Sequence, residues 1–206
     1  MKKVFIKLFL HKDAQPRKTK PLGQSLVEFA VALPLLVGIL VAMMEFGFIL
    51  NFYLSLLDAT RGAARYASLA NPLDVNGNDD MSYYITTAEL VRTELDPPTE
   101  GRRLILDPAT DGVIVTVYCV EGGVATRYPD AGSYNTNPSM ITSAFTTADI
   151  ENTYSGDAPD AGLVLVEVYY GYRPVIGLFY NGKVTLRAHS IMPANAADPL
   201  PGTGCQ

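Results

Sequence analysis

The longest apolar stretch of the chain runs from Leu26 to Leu57, and only Glu28 and Glu45 are charged within it. About 20 apolar residues in a helix cross the hydrocarbon core of a bilayer, so this stretch is long enough to span it. A cleavable secretory signal has a shorter apolar region, of about 7–15 residues, followed by a small-residue cleavage site. That pattern is absent here, and the sequence therefore predicts one retained membrane anchor.

Helical character is predicted to continue beyond the apolar stretch. The Ala-rich segment LLDATRGAARYASLA follows it, and Asn71-Pro72 supplies a stop signal. A helix over residues 25–70 would be about 69 Å long, more than twice the hydrocarbon thickness. Residues 46–57 would then project beyond the lipid. Because they are apolar on all sides, partner helices or the chain's own domain must cover them.

Shorter periodic segments make up the rest of the chain. Residues 81–95 place Tyr84, Ala88, Val91 and Leu95 on one face of a helix, and Pro97-Pro98 ends it. Strand patterns occupy residues 103–106, 113–120, 163–170 and 183–192. The roughly 40 polar, turn-rich residues between the second and third patterns are typical of a functional or mobile loop. We expect an α+β fold with a long N-terminal transmembrane helix, a short helix and a small, mainly antiparallel sheet.

Charge is distributed unevenly along the chain and predicts its orientation in the membrane. Residues 1–23 carry seven Lys/Arg and one acid, whereas residues 24–206 carry nine Lys/Arg and 20 acids. Basic residues flank the cytoplasmic end of a membrane helix, so the N-terminus is expected in the cytoplasm and the acidic body outside. A body this acidic also argues against binding to nucleic-acid phosphates.

These patterns divide the chain into four predicted segments. They are a basic cytoplasmic leader at 1–23, a transmembrane and stalk helix at 24–70, an extracytoplasmic α+β domain at 71–194 and a flexible tail at 195–206. The predicted location is the cytoplasmic membrane, crossed once, with membrane lipid as a partner. A pilus or cell-surface location is also open.

Few residues offer metal or catalytic chemistry. Two cysteines, Cys119 and Cys205, and two histidines have no zinc or haem spacing. If the domain is exported, the cysteines can form a disulfide that ties down the C-terminus; the alternative is one buried and one exposed free thiol. His189 has no nucleophile elbow near it and is interpreted as structural. No phosphate-binding or dinucleotide motif is present, so we expect neither an enzyme nor a cofactor.

One segment, Asp74–Asp80, offers oxygen ligands at alternating positions, as calcium loops do. The glycine, however, falls at position four rather than six, and no Glu stands at position twelve. An Asn-Gly turn that follows the long helix is the preferred interpretation, and no metal site is predicted.

The order of signals at the N-terminus resembles a known family. A basic leader is followed by Gly23-Gln24-Ser25-Leu26-Val27-Glu28-Phe29 and the apolar run, with Gly before a cut and Glu at the fifth position after it. The continuation GQSLVEFAVALPLL…EFG…DATRGAARYA is similar to the TadE-like minor pseudopilins of the tight-adherence (Flp) pilus system. The resemblance covers residues 23–67. The tail is similar in style only, and residues 73–160 are not covered.

The resemblance implies a function and a set of partners. A prepilin peptidase would cut between Gly23 and Gln24. The mature helix would pack with other pilins and pseudopilins on an inner-membrane platform. Glu28 would then pair with the new amino terminus of a neighbouring subunit. The alternative for Glu28 is a carboxylate that snorkels to the membrane boundary, and Glu45 is interpreted as an interfacial carboxylate.

The sequence is therefore consistent with two alternative functions from different classes. The first is a non-enzymatic minor pseudopilin or assembly factor, acting in the filament or only priming it. The second is an uncleaved, single-pass anchored extracytoplasmic binding domain. Removal of residues 1–23 distinguishes the two. A membrane-tethered hydrolase is disfavoured because the sequence offers no nucleophile–base pair.

Overall fold

A computed structural model describes residues 22–97, 104–128, 132–154, 160–177, 180–197 and 205. Residues 1–21 of the predicted leader lie outside these ranges, as does the predicted tail apart from residues 195–197 and Cys205. Two compact units, Met1–Ala42 and Met43–Gln206, make up the chain.

The first helix, α1, spans Leu22–Leu69 and contains Pro34. It is long and apolar enough to cross a membrane, as the uninterrupted apolar run predicts. In the first unit its side chains from Gly23 onward are almost all exposed. An apolar helix surface of this kind requires lipid or protein around it.

The second helix, α2, spans Met81–Leu95 in the second unit, where the sequence predicted it. Its start is fixed by Asp80, whose side chain accepts a hydrogen bond from the backbone N–H of Ser82 and so caps one of the free donors of the first turn. The helix buries Tyr84, Ala88, Val91 and Leu95 together with Tyr83 and Thr87. The predicted apolar face is therefore confirmed, and it is wider than predicted.

An antiparallel sheet forms the body of the second unit. Its strands are β1 Gly112–Glu121, β2 Val124–Arg127, β3 Ser133–Asn135, β4 Ala161–Tyr172 and β5 Val184–Pro193. Their order is β2-β1-β4-β5, and β3 also pairs with β1. The predicted α+β fold is confirmed, with three of the predicted strand patterns corresponding to β1, β4 and β5.

The two faces of the sheet bury different side chains, since successive residues of a strand point to opposite sides. One face, with Val113, Val115, Val117, Val164, Val166 and Val168, packs in a core with residues of α1 and α2. The other face, with Tyr118, Leu163 and Leu165, packs in a smaller core with Ile150. Ile150 belongs to a third helix, α3, at Thr147–Tyr154.

Two sequence predictions differ from the structure. In the strand predicted at 103–106, residue 103 lies outside the described ranges and residues 104–106 form no strand. Leu104 is nevertheless buried in the main core, so the apolar pattern reflects burial of an irregular segment. The segment interpreted as a loop between β1 and β4 contains β2, β3 and α3. The two strands have four and three residues, so they form by pairing with β1 and are too short to carry a clear periodicity of their own.

Candidate subunit-assembly site and domain anchor

The predicted cleavage site lies in the first turn of α1. Gly23 and Gln24 are both exposed, and a Cβ added at Gly23 would meet no atom within 4 Å. The first backbone N–H groups of a helix have no intrahelical partner, and helix ends fray. The Gly23–Gln24 bond therefore lies at the helix end, where the helical backbone unwinds most readily.

Glu28 lies one helical turn after this bond. Its side chain is exposed, and its Oε1 accepts a hydrogen bond from Nε2 of Gln24 at 3.1 Å. Residues four apart share one face of a helix, so Gln24 and Glu28 form one polar spot on an apolar surface. That spot is the polar part of the predicted assembly site.

Glu45, the second carboxylate of α1, is bound by the sheet of its own unit. The hydroxyl of Tyr172 donates to Oε1. The backbone N–H groups of Val175 and Ile176 donate to Oε1 and Oε2, each at 2.9 Å. A carboxylate accepts such bonds at both oxygens, and bonds to a charged group are stronger than neutral ones. Glu45 is thus a specific anchor for the end of β4 and the segment that follows it.

Aromatic contacts surround this anchor. The Phe52 ring stacks on Tyr170 with centroids 6.0 Å apart and contacts Tyr172 at 5.3 Å. Burial, together with the hydrogen bond to Glu45, raises the pKa of Tyr172 to about 12. The hydroxyl therefore remains protonated and able to donate at any physiological pH.

One face of α1 seats the sheet. Ala59, Ala63 and Ala67 are buried in the main core, at a spacing of four residues that keeps them on one face. Gly62, beside Ala63 in the sequence, is exposed and lies off this face.

A different face of α1 has no such cover in the described part of the second unit. Met43, Phe46, Leu50 and Leu54 recur every three or four residues and are each about half exposed or more. This spacing aligns them in one stripe, which we name the outer stripe. The domain of the second unit therefore covers one side of α1, whereas the outer stripe on another side remains exposed.

The two cysteines are joined. Cys119 on β1 and Cys205 form a disulfide between residues 86 apart in sequence, which is the first of the two alternatives that the sequence left open. Cys119 is fully buried and Cys205 packs against the same core. The bond ties residue 205 to the central strand of the sheet.

The carboxylates of Asp74–Asp80 have separate structural partners. Asp74 Oδ1 accepts the backbone N–H groups of Asn76 and Asn78, and those N–H groups lower the pKa of this carboxyl. Asp79 accepts the Tyr84 hydroxyl and the backbone N–H of Gly132. Gly77 adopts a φ of 82°, which glycine tolerates best. Across the described residues no group of three or more His, Cys, Asp or Glu side chains is arranged to hold a metal ion.

The far face of the sheet holds a buried polar cluster around Glu167. Glu167 is fully buried and accepts hydrogen bonds from the Ser143 hydroxyl, the Ala144 N–H and the Tyr169 hydroxyl. His189 pairs with Glu167 across the strands, and its ring contacts Phe145 at 4.7 Å. Within the described ranges, no hydrogen bond joins Ser143 to His189. The serine hydroxyl donates to the Glu167 carboxylate and accepts the backbone N–H of Phe145.

Comparison with known proteins finds a family similarity for one segment of the chain. Residues 23–65 match the family model described as TadE-like protein. No curated protein and no solved structure matches the chain. The matched segment contains Gly23, Gln24, Glu28 and Glu45, and ends within the alanine face that seats the sheet. Over residues 23–65 the chain is therefore similar to the TadE-like family, and the resemblance indicated by its N-terminal motif is confirmed for that segment.

Proposed function

We propose that this protein is a minor pseudopilin or assembly factor of a tight-adherence pilus. The TadE-like match over residues 23–65 supports a part in assembly of that pilus system. In this proposal a prepilin peptidase cuts after Gly23, and the mature helix packs with pilins and other pseudopilins on the inner-membrane platform. The protein performs no catalysis.

The observation that carries the proposal is the outer stripe of α1. Four apolar side chains, from Met43 to Leu54, remain exposed in the unit whose own domain already covers another face of the same helix. Exposed apolar surface that continues along a helix is stabilised by packing against other helices. Pilin-like subunits with long apolar helices supply such a surface.

Glu28 supplies the specificity in this proposal. A carboxylate within an apolar run is costly, by up to about 3 kcal/mol on insertion scales, unless a cation offsets it. Cleavage after Gly23 creates an amino group at Gln24, the residue whose side chain already bonds Glu28. The amino terminus of a neighbouring subunit can take this role and set the axial offset between two helices.

The topology in the proposal follows from charge. The basic leader stays in the cytoplasm, α1 crosses the cytoplasmic membrane once, and the domain lies outside. The disulfide between Cys119 and Cys205 agrees with an oxidising compartment, since such bonds are rare in the cytosol.

Replacement of Glu28 tests the proposal. Glu28→Gln and Glu28→Ala remove the charge and should abolish co-purification with pilin-like subunits and abolish piliation. Expression, membrane insertion and leader removal should be unchanged, because insertion depends on the apolar run. Glu28→Asp keeps the charge and is the matched control, for which we expect substantial partner recovery.

Normal piliation and partner recovery in the Glu28→Gln strain would show that this carboxylate only marks the membrane boundary. A protein that keeps residues 1–23 in cells with an active peptidase would instead favour the anchored binding domain, which is the second candidate.

A further inference from the structure

The segment between β4 and β5 exposes apolar side chains at one end of the sheet. Val175 is 59% exposed, Ile176 41% and Tyr180 55%. The backbone N–H groups of Val175 and Ile176 both bond the Glu45 carboxylate. Their backbone is therefore fixed to α1 while their side chains face outward. Apolar side chains displayed on a fixed segment mark an interaction surface.

The position of Glu45 in the apolar run indicates where this surface lies. From Leu26 to Glu45 the run covers about 29 Å at 1.5 Å per residue, close to the hydrocarbon thickness of about 30 Å. A residue at that count lies near the outer interface of the bilayer. The segment bonded to Glu45 shares this depth.

The charge of the surrounding sequence fits lipid headgroups. Residues 168–197 contain Arg173, Lys183 and Arg187 but no Asp or Glu, although residues 24–206 carry 20 acids in all. Arg173 is exposed and lies two residues before Val175. Lys183 contacts Asp107 at 3.5 Å and Thr110 at 2.8 Å, so Arg173 is the cation more available to phosphate. Basic side chains beside apolar ones are typical of membrane-interface segments.

We propose that residues 173–177 and Tyr180 dock into the outer leaflet of the membrane that α1 crosses. Val175 and Ile176 enter the boundary between headgroups and acyl chains, and Arg173 contacts lipid phosphate. Glu45 holds this segment at the right depth, so the domain is seated on the bilayer at one end of its sheet. The inference rests on the proposed membrane topology.

A tryptophan scan tests this docking in the full chain, because the protein has no tryptophan of its own. Val175→Trp and Val124→Trp are a matched pair, since Val124 is 57% exposed and begins β2, opposite Glu121 at the end of β1. There β1 pairs with the start of β4, Val120 opposite Ala161. From Ala161 to Tyr172, β4 has twelve residues and therefore eleven residue-to-residue steps. The control position is therefore about 36 Å, along the strand direction, from the end of β4 that precedes Val175.

The two variants are reconstituted in phosphatidylcholine vesicles with and without lipids brominated near the headgroup end of their acyl chains. We expect blue-shifted emission and several-fold stronger quenching by the brominated lipid for Val175→Trp than for Val124→Trp. Equal, water-like emission from both variants would overturn the proposal. Blue-shifted emission at position 175 without lipid quenching would also overturn it, since a protein surface would then cover the segment.

Quenching of equal strength at both positions would mean that the whole domain lies on the lipid, and would overturn docking through this end alone. The outcome is separable from the proposed function. Partner recovery in Glu28 variants reports on assembly, whereas quenching requires only the anchored chain.

Discussion

Two glutamates on one apolar helix have different partners, and the partners define their roles. Glu28 is exposed and meets only the side chain of Gln24 among the described residues. Glu45 receives three hydrogen bonds from Tyr172, Val175 and Ile176. The first carboxylate is therefore available to another subunit, whereas the second is committed to its own domain.

We expect Glu45→Gln to loosen the segment after β4. A glutamine side chain offers one acceptor oxygen. Its NH2 group would face the backbone N–H of Val175 or Ile176, and two donors cannot form a hydrogen bond with each other. Amide hydrogen exchange at these two residues should accelerate, and the thermal midpoint of the domain should fall. Tyr172→Phe, which removes one of the three donors, should have a smaller effect in the same direction.

Glu28→Gln is the control for this measurement, because the hydrogen bond that Glu28 forms among the described residues is with Gln24 of its own unit. It should leave exchange at Val175 and Ile176 unchanged while it disrupts assembly. Unchanged exchange in Glu45→Gln would contradict the anchor.

The role of Glu45 could not be read from the sequence. The sequence indicates an interfacial carboxylate, but Tyr172 lies 127 residues later, and only the fold brings the two side chains together. The Cys119–Cys205 disulfide could be predicted from the sequence as one of two alternatives, because an exported domain with two cysteines favours a disulfide bond.

At the scale of elements, α1 presents two faces with different tasks. The alanine face of Ala59, Ala63 and Ala67 is buried against the sheet, and the outer stripe is exposed. The sequence indicated that residues 46–57 must be covered, either by partner helices or by the chain's own domain. In the structure the domain covers one side of this part of α1 only.

Ala63→Leu should separate the helix from the sheet. Ala63 is fully buried, and insertion of extra methylenes into a packed core costs about 1–3 kcal/mol. The expected result is a lower urea midpoint for the domain with little change in the slope. Gly62→Leu is the neighbouring control, since a Cβ there meets nothing within 4 Å. Equal stability of the two variants would argue against burial of this face of α1 in the main core.

Elements with strong local signals were predictable and weak ones were not. The helix Met81–Leu95 has a capping aspartate before it, a periodic apolar face and prolines after it. By contrast, β3 has three residues and gains its order from pairing with β1. A pattern of three polar residues carries no period, so the sequence indicated only a loop.

At the scale of the whole molecule, the disulfide connects the C-terminal region to the centre of the sheet. We expect Cys205→Ala to lower the free energy of unfolding by about 2–5 kcal/mol, since a bridge that closes a long loop restricts the unfolded chain. Reducing agent should lower the stability of the parent protein and leave the variant unaffected. Peptide mapping without reductant should recover the two cysteine peptides as one. Two alkylatable thiols in the exported protein would contradict the bridge.

The uneven charge, the apolar run and the match of residues 23–65 to the TadE-like family model all bear on one proposed event, the conversion of an anchored precursor into an assembly-competent subunit. Cleavage after Gly23 would leave a chemical mark, because it would expose a new amino terminus at Gln24. Such a terminus can cyclise and lose its charge unless it is methylated, and both products differ in mass.

The intact mass of the native protein, purified from membranes of cells with an active prepilin peptidase, tests the account most directly. We predict a chain that begins at Gln24, and a Gly23→Val variant that inserts in the membrane but keeps its leader, because the larger side chain hinders access to the bond. A native chain that still begins at Met1 or Lys2 would contradict the account.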